Sequence, residues 1–170
     1  MVETATIGGA DDVSESRLVA ANIHPETLLA TDYLNHFNEV VMLVDMLPEM
    51  PDCAPDVVDW QPRSYVEHFR ASRFRERELA IRAYDRVEPA RRAAFEATVA
   101  SIDAAIRDLQ ALITHASMDR LPLRRIGDLA EMRIKPLLAH AMGLINGAPP
   151  AVHVTEAGDE AQTAVDALFG

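Results

Sequence analysis

Six apolar side chains, spaced alternately four and three residues apart, run along the sequence from residue 95 to residue 113. This spacing places all six on one face of an α-helix, whereas a half-buried strand would alternate at every second residue. The predicted helix covers about residues 89–115 and, at about 1.5 Å per residue, is about 40 Å long, which is typical of a helical bundle. The seam consists of Phe95, Val99, Ile102, Ile106, Leu109 and Ile113.

Three further stretches carry helical periodicity and end at prolines or at Gly147. They predict helices over about residues 24–47, 63–87 and 124–145, because proline cannot continue a helix and glycine commonly follows its end. We expect Pro136 to kink the last of these helices. The sequence therefore predicts an all-α fold, a bundle of four main helices.

The chain ends are predicted to lie outside this bundle. Residues 1–21 show no sustained periodicity and predict a flexible tail. The bundle domain then covers residues 22–147, and residues 148–170 form a linker followed by a short amphipathic C-terminal helix. This helix would present Val165, Leu168 and Phe169 on one side, and we expect it either to fold back on the bundle or to dock on a partner.

Length and composition limit the class of protein. With 170 residues the chain is expected to form one domain. It has no run of about 18 apolar residues, so no membrane span is expected. Its acidic first residues lack the features of a secretory signal, and its one cysteine, Cys53, fits a reducing compartment. These features predict a cytoplasmic protein.

Charge is divided unevenly along the chain. Residues 1–62 hold twelve acidic and one basic side chain, residues 63–147 hold eleven acidic and fifteen basic, and the remainder holds four acidic, which gives the net charge of −11. An acidic chain of this kind is not expected to bind nucleic acid. We expect the acidic first helix and the loop that follows it to lie against the basic second helix.

The most specific pattern is a set of histidines and carboxylates on the first two predicted helices. Asp32, His36 and Glu39 follow one stripe of the first helix, and His68 and Glu76 follow one stripe of the second. If the two stripes face each other, the five side chains would meet inside the bundle. Imidazole and carboxylate ligands suit iron, zinc or manganese, so the pattern predicts a metal site. The alternative is that each buried histidine pairs with a carboxylate, orients the helices and binds no metal.

Three arginines follow one flank of the second predicted helix: Arg70, Arg73 and Arg77. Their guanidinium groups suit a phosphate or carboxylate, which makes them candidate anion-binding residues. The alternative, which net charge favours, is that they pair with the eight carboxylates between residues 26 and 59.

Two functions from different classes remain open. The sequence contains no complete set of catalytic residues, which favours a non-enzymatic bundle that acts by self-association or on a protein partner. The alternative is a metal-binding bundle with redox or hydrolytic activity.

Overall fold

The computed structural model describes residues 13–150 as an all-α fold, as predicted. Within this range no residue lies in a strand, and one isolated bridge joins Ile23 to Ala30. The predicted tail up to residue 12 and the predicted C-terminal helix lie outside the described residues. The helices are α1 (Glu15–Ala20), α2 (Asn35–Met46), α3 (Ala54–Asp59), α4 (Tyr65–Ala71), α5 (Arg77–Tyr84), α6 (Pro89–Thr114), α7 (Leu123–Leu129) and α8 (Lys135–Ile145).

Helix α6 is the central element and matches the helix predicted from the apolar seam. At its start, the Glu88 carboxylate accepts hydrogen bonds from the backbone N–H groups of Ala90 (3.0 Å) and Arg91 (2.8 Å). Pro89, the first residue of the helix, has no N–H group that would require an acceptor. Five of the six seam side chains are buried, and Val99 packs at the edge of the core. Helices α3, α7 and α8 pack against α6.

The first predicted helix starts later than expected, because residues 24–30 form a loop. Leu28 has a left-handed backbone (φ 62°), which interrupts any helix at that position. The neighbouring Thr27 hydroxyl donates to the carbonyl of Ile145 at the end of α8, over 2.6 Å. A 3₁₀ turn over Thr31–Leu34 then leads into α2.

The second predicted helix, residues 63–87, is divided into α4 and α5. A capping box between Ser64 and Glu67 starts α4. The Ser72 hydroxyl then donates to the carbonyl of Phe69 (2.9 Å) and accepts the N–H of Phe74 (3.3 Å). Since Ser72 also adopts an extended backbone (ψ 156°), the helix ends there and a new one begins at Arg77.

The last predicted helix runs without a break from α7 to α8 through a π-helical turn over Ala130–Ile134. This turn ends two residues before Pro136, the residue predicted to kink the helix. Because proline cannot donate to the carbonyl four residues before it, the wider π turn accommodates Pro136 while the helix continues.

Two short helices lie where the sequence predicted none. Helix α1 falls within the predicted tail, yet its Leu18 is buried in the core. Helix α3 falls within the predicted loop between the first two helices and buries Ala54 and Val57. Within residues 13–150, no helix combines the length and the apolar character that crossing a membrane requires.

Candidate functional site

The two histidines singled out in the sequence lie together. His36, in the first turn of α2, and His68, on α4, have ring centroids 5.9 Å apart. The ring of Tyr33 meets the His68 ring edge-on at 5.5 Å. His36 is only 7% exposed. The predicted site required the two imidazoles to approach each other, and the structure brings these two rings together.

Trp60 fixes the position of His36. Its indole ring stacks on the imidazole, with centroids 4.6 Å apart, and its Nε1–H donates to the His36 carbonyl over 3.1 Å. The Gln110 side-chain amide on α6 donates in turn to the carbonyls of Val57 (3.0 Å) and Trp60 (2.8 Å). The contacts tie the segment after α3 to both α2 and α6. No pattern in the sequence pointed to Gln110.

The surroundings of both imidazoles favour the neutral form. Burial is the main reason that the pKa of His36 is lowered to about 4, and repulsion from a protonated His68 and from the Arg63 guanidinium adds to it, while the backbone of Gln61 opposes the shift. Burial and Arg63 also lower the pKa of His68, against the opposing effect of Asp32. A neutral imidazole has one nitrogen free to accept a hydrogen bond.

Two buried polar atoms near this pair have no hydrogen-bond partner among the described residues: Nε2 of His36 and Oδ2 of Asp32. The other oxygen of Asp32 accepts from Asn35 over 3.4 Å. An unpaired buried acceptor costs about 1–3 kcal/mol, and such atoms commonly mark a site for a ligand or an ordered water.

The five predicted metal ligands do not come together as predicted. Glu76 lies beyond the point where the helix is interrupted at Ser72. Its carboxylate makes an ion pair with Arg17 of α1 at 3.7 Å. Glu39 is exposed, one turn beyond His36 on α2. Across the described part of the chain, no three His, Cys, Asp or Glu side chains are placed to hold a metal ion together. The helix break explains the difference, because it directs Glu76 away from the stripe that carries His68.

A cleft of about 430 Å³ opens beside His36, and we call it the histidine cleft. One wall is α2, and the other is the segment from α3 to the start of α4. Its charged side chains are three carboxylates and one guanidinium, and its main apolar surfaces are a leucine and the indole. The lining residues are His36, Glu39, Leu43, Asp56, Asp59, Trp60, Gln61 and Arg63.

The three candidate anion-binding arginines do not share one helix flank. Arg70 lies on α4, Arg73 lies in the break and Arg77 begins α5. Arg77 donates to the carbonyl of Ser72 over 3.3 Å. Among residues 13–150 none of the three makes an ion pair with the acids of α2 or the following loop, so the predicted pairing is wrong for these arginines. Lys135 does pair with one of those acids, Asp45, at 3.2 Å.

A second surface feature went undetected in the sequence. A groove of about 440 Å³, which we call the methionine groove, lies between the C-terminal half of α6 and the α7–π segment. Met132, in the π turn, is 80% exposed beside it. Periodicity missed this groove because the π turn shifts the face on which each later side chain lies. The groove is lined by Asp108, Leu112, Arg125, Asp128, Leu129, Met132 and Arg133.

The three predicted docking residues, Val165, Leu168 and Phe169, lie outside the described residues. Comparison with models of protein families, with curated proteins and with solved structures finds no match to this chain. The two surface sites are therefore the features from which a function is inferred.

Proposed function

We propose that this protein is a non-enzymatic, cytoplasmic helical bundle that self-associates through the methionine groove. The observation that carries the proposal is the exposure of Met132 beside the half-buried Leu112 and Leu129. An apolar groove flanked by polar residues is typical of an interaction surface, and methionine adapts readily to a partner's shape.

The charges around the groove favour a second copy of the chain over a strongly charged partner. Residues 108–133 contain four acidic and four basic side chains, so their charges cancel, whereas the whole chain carries −11. Arg133 already pairs with Asp108 across the groove at 2.7 Å. Two copies that meet elsewhere along the acidic first third would repel each other, while two copies that meet at the groove would not.

The test is size-exclusion chromatography with light scattering on the full chain over a range of concentrations. We expect a dimer whose dissociation constant rises at least about tenfold in Met132→Glu, because the substitution buries a charge in the interface. Met50→Glu is the matched control, since Met50 is 49% exposed and lies outside the groove. We expect this variant to associate like the unchanged chain.

Three outcomes would contradict self-association through the groove. The first is a monomer at every concentration, and the second is an equal loss of association in Met132→Glu and Met50→Glu. The third is loss of the dimer when the chain ends at residue 150 while Met132→Glu stays dimeric. That last result would assign the interface to the C-terminal segment that carries Val165, Leu168 and Phe169 instead.

Metal binding is a second candidate, favoured by the unpartnered Nε2 of His36 and Oδ2 of Asp32. Asp32, His36 and His68 would supply the ligands for iron, zinc or manganese, and their side chains would have to move closer together around the ion. Elemental analysis of protein grown with all three metals tests it. Occupancy well below one equivalent, with no shift in the melting temperature on adding each metal, would remove this candidate.

A further inference from the structure

Three methionines follow one line along the second half of α2 and the turn after it. Met42, Met46 and Met50 are spaced four residues apart and account for three of the seven methionines in the chain. The turn after α2 keeps this spacing helical, because the N–H of Met50 donates to the carbonyl of Met46 over 2.8 Å. Side chains four residues apart on a helix are neighbours, with Cβ atoms about 6 Å apart. We call these three side chains the α2 methionine row.

The α2 methionine row lies on the side of the helix that faces away from the core. Val40 and Val44 are buried on the opposite side. Met42 is 58% exposed and Met50 is 49% exposed, while Met46 between them is half-buried. Packing within the bundle therefore does not account for a methionine at positions 42 and 50, and both side chains are accessible to a ligand from solvent.

The charges around the row favour a cation. Residues 18–62, which contain the row, include no lysine or arginine. Two carboxylates flank the row, and one of them, Asp45, pairs with Lys135 at 3.2 Å. The other, Glu49, is exposed and makes no ion pair with any residue from 13 to 150. Because the first third of the chain is strongly acidic, it attracts cations to this side of the molecule.

Three thioethers in this arrangement have the ligand chemistry of a site for a soft, monovalent metal ion. We propose that the α2 methionine row binds Cu⁺, with the sulfur atoms of Met42, Met46 and Met50 as the ligands. Thioether sulfur is a soft, uncharged ligand that suits Cu⁺, whereas Mg²⁺, Ca²⁺ and Mn²⁺ prefer oxygen ligands. Since the methionine side chain has three rotatable bonds, three neighbours on one helix face can direct their sulfur atoms to a common point.

This site is separate from the metal candidate formed by Asp32, His36 and His68. His36 is buried on the core side of α2, whereas the row lies on the solvent side. The imidazole and carboxylate ligands of that candidate suit iron, zinc or manganese, and three uncharged thioethers suit Cu⁺. The proposal also does not depend on self-association, because the methionine groove is lined by other residues.

The methionine methyl groups allow the proposal to be measured residue by residue. The full chain is labelled with methyl-¹³C-methionine, and its seven methyl signals are followed by NMR during titration with Ag⁺ in chloride-free buffer. Ag⁺ has the charge and the filled d shell of Cu⁺ and is stable in air. We expect saturable shifts of the Met42, Met46 and Met50 signals, with the other four signals unchanged. Cu⁺, added without oxygen, should shift the same three signals.

Leucine variants separate the role of the sulfur atoms from that of the apolar surface. Leucine has a similar volume but no ligand atom, so Met42→Leu should raise the dissociation constant for Ag⁺ by at least about tenfold. Met142→Leu is the matched control, since Met142 is 37% exposed and lies on α8, outside the row. It should leave binding within about twofold, because the two positions share no ligand. Circular dichroism checks that both variants keep their helices.

Four outcomes would overturn the proposal. The first is the absence of a saturable shift in the row, and the second is an equal response of all seven methyl signals. The third is an equal dissociation constant for Ag⁺ in Met42→Leu and Met142→Leu. The fourth is loss of Ag⁺ binding in Cys53→Ala while Met42→Leu keeps it, which would assign the ion to the thiol instead of the thioethers.

Discussion

Trp60 donates its indole N–H to the backbone carbonyl of His36 while its ring stacks on the His36 imidazole. The two residues are 24 positions apart, so this double contact closes the loop between α2 and α4 over the histidine pair. Because Trp60 is itself buried, the contact also excludes water from one face of the imidazole. The neutral state of His36 therefore depends on the position of a residue outside its own helix.

We expect Trp60→Phe to lower the free energy of unfolding by about 1–2 kcal/mol, because the His36 carbonyl loses its donor and the smaller ring leaves space. The measurement is urea denaturation followed by circular dichroism, since the variant has no tryptophan fluorescence. Tyr33→Phe is a companion variant. It keeps the ring and removes the hydroxyl that donates to the backbone carbonyl of Arg63 over 2.8 Å. An unchanged midpoint in Trp60→Phe would show that the indole contact contributes nothing to stability.

We expect the stability of the protein to fall as the pH drops from about 6.5 to about 4, in part because of His36. Its pKa is about 4 in the folded protein and about 6.5 in the unfolded chain, so the unfolded chain binds more protons across this interval. The contribution of His36 is fully present above pH 6.5 and amounts to about 3 kcal/mol at most.

Chemical denaturation at several pH values, with His36→Gln beside the unchanged chain, isolates this contribution. The variant has no group that titrates at residue 36, so its stability should change less between pH 6.5 and 4. Parallel pH profiles for the two proteins would contradict a neutral, buried His36.

Asp103 should contribute to the pH dependence with the opposite sign. Burial raises its pKa from 3.8 to about 6, against the opposing effect of Arg107, and its Oδ1 has no hydrogen-bond partner among the described residues. The folded protein therefore binds more protons than the unfolded chain between about pH 6 and 4, so this group favours folding as the pH falls through that interval.

We expect Asp103→Asn to raise the free energy of unfolding at pH 7 by about 1 kcal/mol, because it removes a partly desolvated charge. The exposed Asp119→Asn is the control and should have no effect. The measurement is urea denaturation at pH 7 and pH 4. A destabilised Asp103→Asn at pH 7 would contradict the proposed cost of that charge.

A helix was predicted correctly where the residues that start it and bury it all lie within the helix itself. Helix α6 was predicted in full because its apolar seam and its Glu88–Pro89 start both lie within the helix. The second helix was predicted as one piece because the apolar side chains that end at Phe69 and those that resume at Ala80 lie on the same face of a continuous helix. The hydroxyl of Ser72 nevertheless ends α4 by two hydrogen bonds. A single serine is a weak signal, since the same residue is also tolerated inside helices.

The residues of the candidate site also fall into those that the sequence could place and those that it could not. The spacing along the first two predicted helices put His36 and His68 among apolar side chains, but whether the two rings meet stayed a condition until the structure placed them 5.9 Å apart. The sequence was not sufficient to place Glu76, Trp60 or Gln110. Their partners are Arg17, His36 and the carbonyls at the end of α3, all of which lie far away along the chain.

By itself, the sequence determined the all-α class, the long helix α6 and the place of each imidazole among the apolar side chains of its helix, because helical periodicity is a property of neighbouring residues. Only the tertiary structure decided which polar atoms stay unpaired, where the histidine cleft opens and how far Met132 is exposed. These features arise where separate segments pack together, and the free energy of that packing depends on the arrangement of the whole core.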